Sequence, residues 1–154
     1  MNIEIAAICD AATANGVGGR LNILGAFDRI FAKFPLTIPQ CAAAFRFRYQ
    51  RSEAGMHNIS MVIEDVCGKP IVPPMQSQVP LEPVAQGFDT AAVNLVLNLQ
   101  RLTIKRPDKY IVRFIVDDEE LVNLPLYVLD VPQGANRGPI ASGEQELGPV
   151  DGNA

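Results

Sequence analysis

The sequence predicts an all-β fold, an antiparallel β-sandwich of immunoglobulin-like or C2-like layout with about eight strands and a flexible C-terminal tail. Three observations lead there. Apolar and polar side chains alternate with a period of two along several stretches. Clusters of Gly, Pro, Asn and Asp separate those stretches, and no apolar stripe at helical spacing runs beyond about ten residues. Strands that do not alternate with helices argue against a doubly wound α/β sheet.

Asn2 to Cys9 alternates weakly, with Ile3 and Ile5 on one face and Glu4 on the other, and reads as a first strand. Asp10 to Arg20 is polar and glycine-rich, a connection in which Asn15-Gly16 and Gly18-Gly19 allow positive φ. Leu21 to Phe31 reads as a strand interrupted at Gly25, where a bulge or a close backbone approach is expected. Helical spacing of Leu21, Leu24 and Asp28 fits the same stretch. Pro35 and Pro39 mark a crossing segment. Beyond it Ala43, Phe45, Phe47 and Tyr49 alternate with Ala44, Arg46, Arg48 and Gln50, the clearest half-buried strand in the chain.

After a loop at Arg51 to Asn58, Ile59, Met61 and Ile63 form the apolar side of another strand. The prolines between residues 68 and 90 leave room only for a short edge strand around Gln76 to Val79. Val93, Leu95, Leu97 and Leu99 then face inward, but Leu102 and Ile104 carry the opposite parity. A phase slip inside a continuous strand is what a β-bulge produces, and its place is Gln100-Arg101.

The stretch 101–131 reads as a hairpin entered through Pro107-Asp108. Tyr110, Val112, Phe114 and Val116 share one face; Ile111, Arg113, Ile115 and Asp117 share the other. The acidic run Asp117 to Glu120 forms the turn without the glycine that tight turns favour. Pro125 in the returning strand suggests an edge or a bulge. From residue 132 the composition turns to Gly and Pro with few large apolar residues. The chain therefore divides into a β-sandwich domain over 1–131 and a tail over 132–154.

Bulk composition narrows the function classes. A chain of 154 residues is one domain, able to bury roughly 70% of the surface its unfolded form exposes. Hydrophobic residues at 48% and charged residues at 19% fit a soluble globular protein. A net charge of −4 argues against nucleic acid as a partner, because that binding rests on phosphate neutralisation. No stretch has the length of a membrane-spanning helix, and the first residues lack the basic start of a secretory signal. Cys9, Cys41 and Cys67 are odd in number and widely spaced, which reads as reduced thiols in a cytoplasmic protein.

The segments Ala7 to Asp10, Gly19 to Asp28, Asn94 to Gln100 and Pro107 to Asp117 resemble a family of short bacterial proteins of unknown function. The resemblance spans most of residues 1 to 131 and implies a stand-alone β-rich cytosolic protein. It implies no catalytic residue. Asp118 stands where the family's turn glycine is expected.

Asn15 to Gly19 lacks the Lys-Ser/Thr and the following helix of a phosphate loop. The acidic turn lacks the spacing of a calcium loop, although Asp10, Asp28, Asp65 or Asp130 could add oxygens. His57, the only histidine, stands in a polar loop with no second histidine for zinc and no Gly-x-Ser-x-Gly partner. No metal site, no cofactor and no catalytic residue are expected. The sharpest candidates for binding are Arg46, Arg48 and Gln50, which share one strand face and suit an anionic partner surface. A second basic cluster comprises Arg101, Lys105, Arg106 and Lys109. An amide row of Asn94, Asn98 and Gln100 suits hydroxyl recognition in a small-ligand or carbohydrate-binding module.

The leading expectation is a non-enzymatic module that binds a protein partner. Self-association is a further expectation, because Val62, Val96, Ile111 and Ile115 fall on the outer parity.

Overall fold

The structure, a computed structural model, describes residues 1–15 and 19–132. The stretch expected as a tail lies, from residue 133 on, outside the described residues. Among those described there are nine strands and no α-helix: β1 Asn2–Ala14, β2 Leu21–Phe27, β3 Arg29–Ala32, β4 Leu36–Gln50, β5 Gly55–Glu64, β6 Met75–Leu81, β7 Thr90–Ile104, β8 Asp108–Val116 and β9 Glu119–Asp130. They form two sheets, β2-β1-β4-β7 and β3-β9-β8-β5-β6. Every pairing is antiparallel except that of β3 with β9, which is parallel and departs from the all-antiparallel expectation.

The two sheets share one core. β4 contributes Ala43, Phe45, Phe47 and Tyr49, while β5 and β8 contribute Ile59, Met61, Ile63, Tyr110, Val112, Phe114 and Val116, all buried. The alternation read from these strands is therefore the inward parity. β-Branched and aromatic side chains suit such a pleated, half-buried surface.

Several boundaries differ from the sequence reading. β1 runs on to Ala14 because Ala11 to Ala14 pair with Leu24 to Leu21, so the expected connection is mostly hairpin. The expected strand Leu21 to Phe31 is split at Asp28 into β2 and β3, which belong to different sheets. Asp28 is the corner, and its carbonyl accepts from the Tyr127 amide at 2.8 Å. Of the expected crossing segment, Pro35 lies in the connection before β4 and Pro39 within β4, which starts at Leu36. His57 stands on β5 opposite Val79, not in a loop. The edge strand expected around Gln76 to Val79 is β6, and it carries Pro80 as an edge strand can. Pro125 lies on β9 just before Tyr127, where pairing with β3 begins, so its missing N–H costs no ladder bond on that side.

Irregularities fall where the sequence hints at them. Gly25 has φ +64, and a Cβ there would come within 2.2 Å of the Asp10 carboxylate, so a side chain would strain the backbone and displace Asp10. Arg101 has φ 53 at the predicted slip. The register with β4 nevertheless continues, because β4 changes its inward parity at Pro39-Gln40, opposite Arg101. Two matched irregularities keep both strands in step. The β8–β9 turn is tight, with only Asp117 and Asp118 between Val116 and Glu119. Both have positive φ, 47 and 69, the pattern of a type I′ hairpin. Aspartate enters the left-handed region more readily than most residues, which is how the turn forms without glycine.

Candidate functional site

β4 and β7 hold all six binding candidates on the outer side of the first sheet. Arg46 pairs with Asn94, Arg48 with Ala92, Gln50 with Thr90, Asn98 with Ala42 and Gln100 with Gln40. Arg46, Arg48 and Asn94 are brought together; Asn98 and Gln100 lie further along the strand.

The hub of this face is a residue that was not singled out from the sequence. β1 pairs Ile3 with Phe47 and Ile5 with Arg46, which leaves Glu4 as the extra residue of a β-bulge. Its carboxylate accepts from the Nε of both Arg46, at 2.8 Å, and Arg48. The same arginines extend Nη1 to β7, Arg46 to the Asn94 Oδ1 at 2.9 Å and Arg48 to the Thr90 hydroxyl at 3.0 Å. The Arg48 and Arg46 guanidiniums hold the Glu4 carboxyl below its ordinary range against a smaller opposing effect of burial. Asn94 also donates to the Gly19 carbonyl at 2.8 Å. The arginines and Asn94 thus staple β1, β4 and β7 together.

Above this network the hairpin of β1 and β2 covers the sheet. Ala12, Leu21, Ile23 and Val96 pack on Cys9, Ala42 and Ala44. The consecutive alanines 42–44 are buried on both faces of β4, small enough to admit the hairpin on one side and the core on the other. Val96 is consequently half-buried. The other three residues of the expected apolar patch remain neighbours on the second sheet, where Val62 faces Arg113 between Ile111 and Ile115.

The edge of β7 is the larger feature. β7 is 15 residues long and ends its sheet among the described residues, pairing only with β4. From Thr90 to Gln100 it has no charge and no proline, the usual protection of an edge. Its inward side chains Val93, Leu95 and Leu97 are only half-buried, whereas Phe45 and Phe47 beside them on β4 are fully buried. The core is therefore open along this edge.

Other candidates are used within the fold. Asp117 takes the Asn58 amide at 2.9 Å and the His57 Nδ1 at 2.5 Å, and the His57 Nε2 meets the Glu53 carbonyl at 2.7 Å. These bonds, the Asn58 amide foremost, lower the Asp117 carboxyl. Glu120 binds Asn123 and Arg113, and Asp65 caps the amides of Cys67 and Lys69. No group of three or more His, Cys, Asp or Glu side chains converges among the described residues. Asp65 and Arg106 line a groove of about 330 Å³ with Lys69 and Lys105. A wider groove of about 490 Å³ runs over Ile115 between Asn58, Ser60, Gln76, Gln78 and Asp118.

A family model matches residues 4–129, described as a family of unknown function, DUF6941. The chain belongs to that family. The DUF6941 match begins at Glu4 and takes in β4 and β7 whole. No curated protein matches the chain. Among solved structures it is similar to the Pseudomonas fluorescens alkylpurine DNA glycosylase AlkC bound to DNA containing an abasic site analog, with 10% identity and a TM-score of 0.42, over 80% of this chain and 30% of that one. It is also similar to a glycosyl hydrolase family 2 member from Bacteroides cellulosilyticus, with 13% identity and a TM-score of 0.34, over 62% of this chain and 14% of that one. No helix of the described residues is long and apolar enough to cross a membrane.

Proposed function

We propose that this member of DUF6941 is a non-enzymatic, cytosolic β-sandwich module of immunoglobulin- or C2-like layout that binds a protein by taking a partner strand onto β7. The observation that carries the reading is the edge itself: a long, uncharged, proline-free strand whose inward Val93, Leu95 and Leu97 stay half-exposed. An added strand satisfies the outward backbone groups and covers those side chains together, which is how strand addition gives both affinity and specificity. The three unpaired thiols, Cys9, Cys41 and Cys67, support a reducing compartment. The arginine face contributes by holding β7 in place through Asn94 and Thr90, so its role is support of the edge rather than the contact first expected of Arg46 and Arg48.

Proline substitution tests this reading. Backbone groups alternate along an antiparallel strand, so of Leu95 and Val96 one turns its N–H away from β4. Of Leu95→Pro and Val96→Pro, the one whose N–H faces away from β4 should stay folded and block the edge. That variant should lose the protein captured by the tagged wild type from native lysate. Undiminished capture by a folded edge-blocked variant would sink the proposal.

A second reading, a small polar ligand, is favoured by the wider groove, where the Asn58, Ser60, Gln76 and Gln78 side chains surround Ile115. It places the ligand over this groove rather than on the amide row, where Gly19 and Arg46 already take one N–H and one oxygen lone pair of the Asn94 amide. Titration with mono- and disaccharides followed by amide shifts at these residues tests it; shifts that stay unchanged count against it.

A further inference from the structure

We infer that the strand β7 receives is β7 of a second copy, paired antiparallel about a two-fold axis through Val96. This rests on the strand-addition reading and names its partner.

The register follows from the chemistry of the edge. An isologous pair must match its own sequence reversed. About Val96, Leu95 stands opposite Leu97 of the second copy and Val93 opposite Leu99, so the inward faces match apolar to apolar. On the outward face Asn94 stands opposite Asn98 of the second copy. Asn98 is exposed, and Asn94 has spent one N–H and one carbonyl lone pair of its amide, so both retain capacity for an amide pair across the axis. Shifting the axis by one residue to Leu95 sets Asn94 against Val96 and Asn98 against Ala92, an amide against an apolar group each time. The uncharged stretch from Thr90 to Gln100 brings no like charges together.

Charge then brackets the pairing. Asp89 precedes β7 and Arg101 closes its uncharged stretch, and both are exposed. In the Val96 register Arg101 opposes Ala91 of the second copy, and Asp89 of that copy is its diagonal neighbour, within reach of a long side chain. The symmetry makes two such pairs, one at each end. The half-exposed Val93, Leu95 and Leu97 of both copies join into one continuous core, and the β7 edges disappear into a doubled sheet. The left-handed backbone at Arg101 limits the pairing to the straight part of the strand.

Light scattering over a concentration series tests the inference. The wild type should approach twice the 16.7 kDa chain mass as concentration rises. Asp89→Arg and Arg101→Asp should each raise the dimer dissociation constant roughly three- to tenfold, as expected for exposed ion pairs occurring twice. The double exchange D89R/R101D should restore it, and all three variants should melt like wild type. A wild-type monomer at every concentration, or a dimer indifferent to the single reversals, would overturn the inference. If the monomeric wild type still captured a lysate protein that the tolerated proline variant lost, the second copy would be refuted while strand addition stood.

Discussion

Phe45 stacks on Phe114 across the space between the sheets, their ring centroids 4.3 Å apart and their planes 14° from parallel. Phe47 approaches the same ring at 5.9 Å. Phe114 is therefore the side chain through which β8 grips β4, the strand that carries β7. Phe114→Ala should cost about 3–5 kcal/mol by leaving a cavity in a rigid, close-packed core. Ile115→Ala, one residue along and on the outer face, should cost clearly less. Denaturant unfolding of the two variants checks this, and equal losses would refute the inward parity of β8.

The tight β8–β9 turn gives a gain-of-stability prediction. Asp118 holds φ 69, where a side chain is strained, and its own side chain is exposed. Asp118→Gly should raise stability by up to about 1 kcal/mol. Asp117→Gly should lower it despite an equally left-handed backbone, because it removes the acceptor for the Asn58 amide and the partner of His57. Opposite shifts in melting temperature at adjacent positions are the expected result.

Acid should weaken the fold through its bonded carboxylates. Asp117, Asp65, Glu120 and Glu4 all have carboxyls below their ordinary values, held by backbone amides, Asn123 or arginines. A depressed folded-state value means stability that is present above the unfolded-state value, about pH 4, and is lost as pH falls through the folded one. Melting temperature should be flat near neutrality and fall below about pH 4. Asp117→Asn should be less stable at pH 7 but show a shallower acid-side loss.

The arginine staple makes the fourth prediction. Arg46→Glu with Arg48→Glu gathers three carboxylates at the bulge and cuts the ties to Asn94 and Thr90. The double variant should melt lower than wild type, with a loss well above the 0.2–1 kcal/mol ordinary for a single exposed pair. An unchanged melting temperature would show that the network does not hold β1, β4 and β7 together.

Much of this was legible in the sequence, and the exceptions have physical causes. Period-two alternation located the inward faces of β4, β5 and β8, because a buried sheet face imposes that period on the residues themselves. The parity change at Gln100-Arg101 marked the left-handed Arg101 for the same reason, although the register with β4 runs through it without the expected bulge. Glu4 escaped notice because Ile3, Glu4 and Ile5 alternate as a regular strand would, which hides the bulge between them, and its arginine partners lie on another strand. The sheet switch at Asp28 left no local mark either, since which sheet a short strand joins is decided by β9, a hundred residues away. The open edge of β7 depended on knowing its neighbours, although its lack of charge and proline was already visible. The run of alanines at 42–44 was a sign of crowding on both faces of β4 that periodicity alone did not weigh.

Residue-resolved amide hydrogen exchange along β7 tests the central claim most directly. Alternate amides bond to β4 and should exchange slowly in any sample. The intervening amides between Val93 and Leu99 face away from β4. In a dilute sample they should exchange freely, and in a concentrated one they should become protected, with no such change along the edges of β2 and β6. Intervening amides that exchange freely in the dilute and the concentrated sample alike would contradict the pairing of β7 with β7 of a second copy.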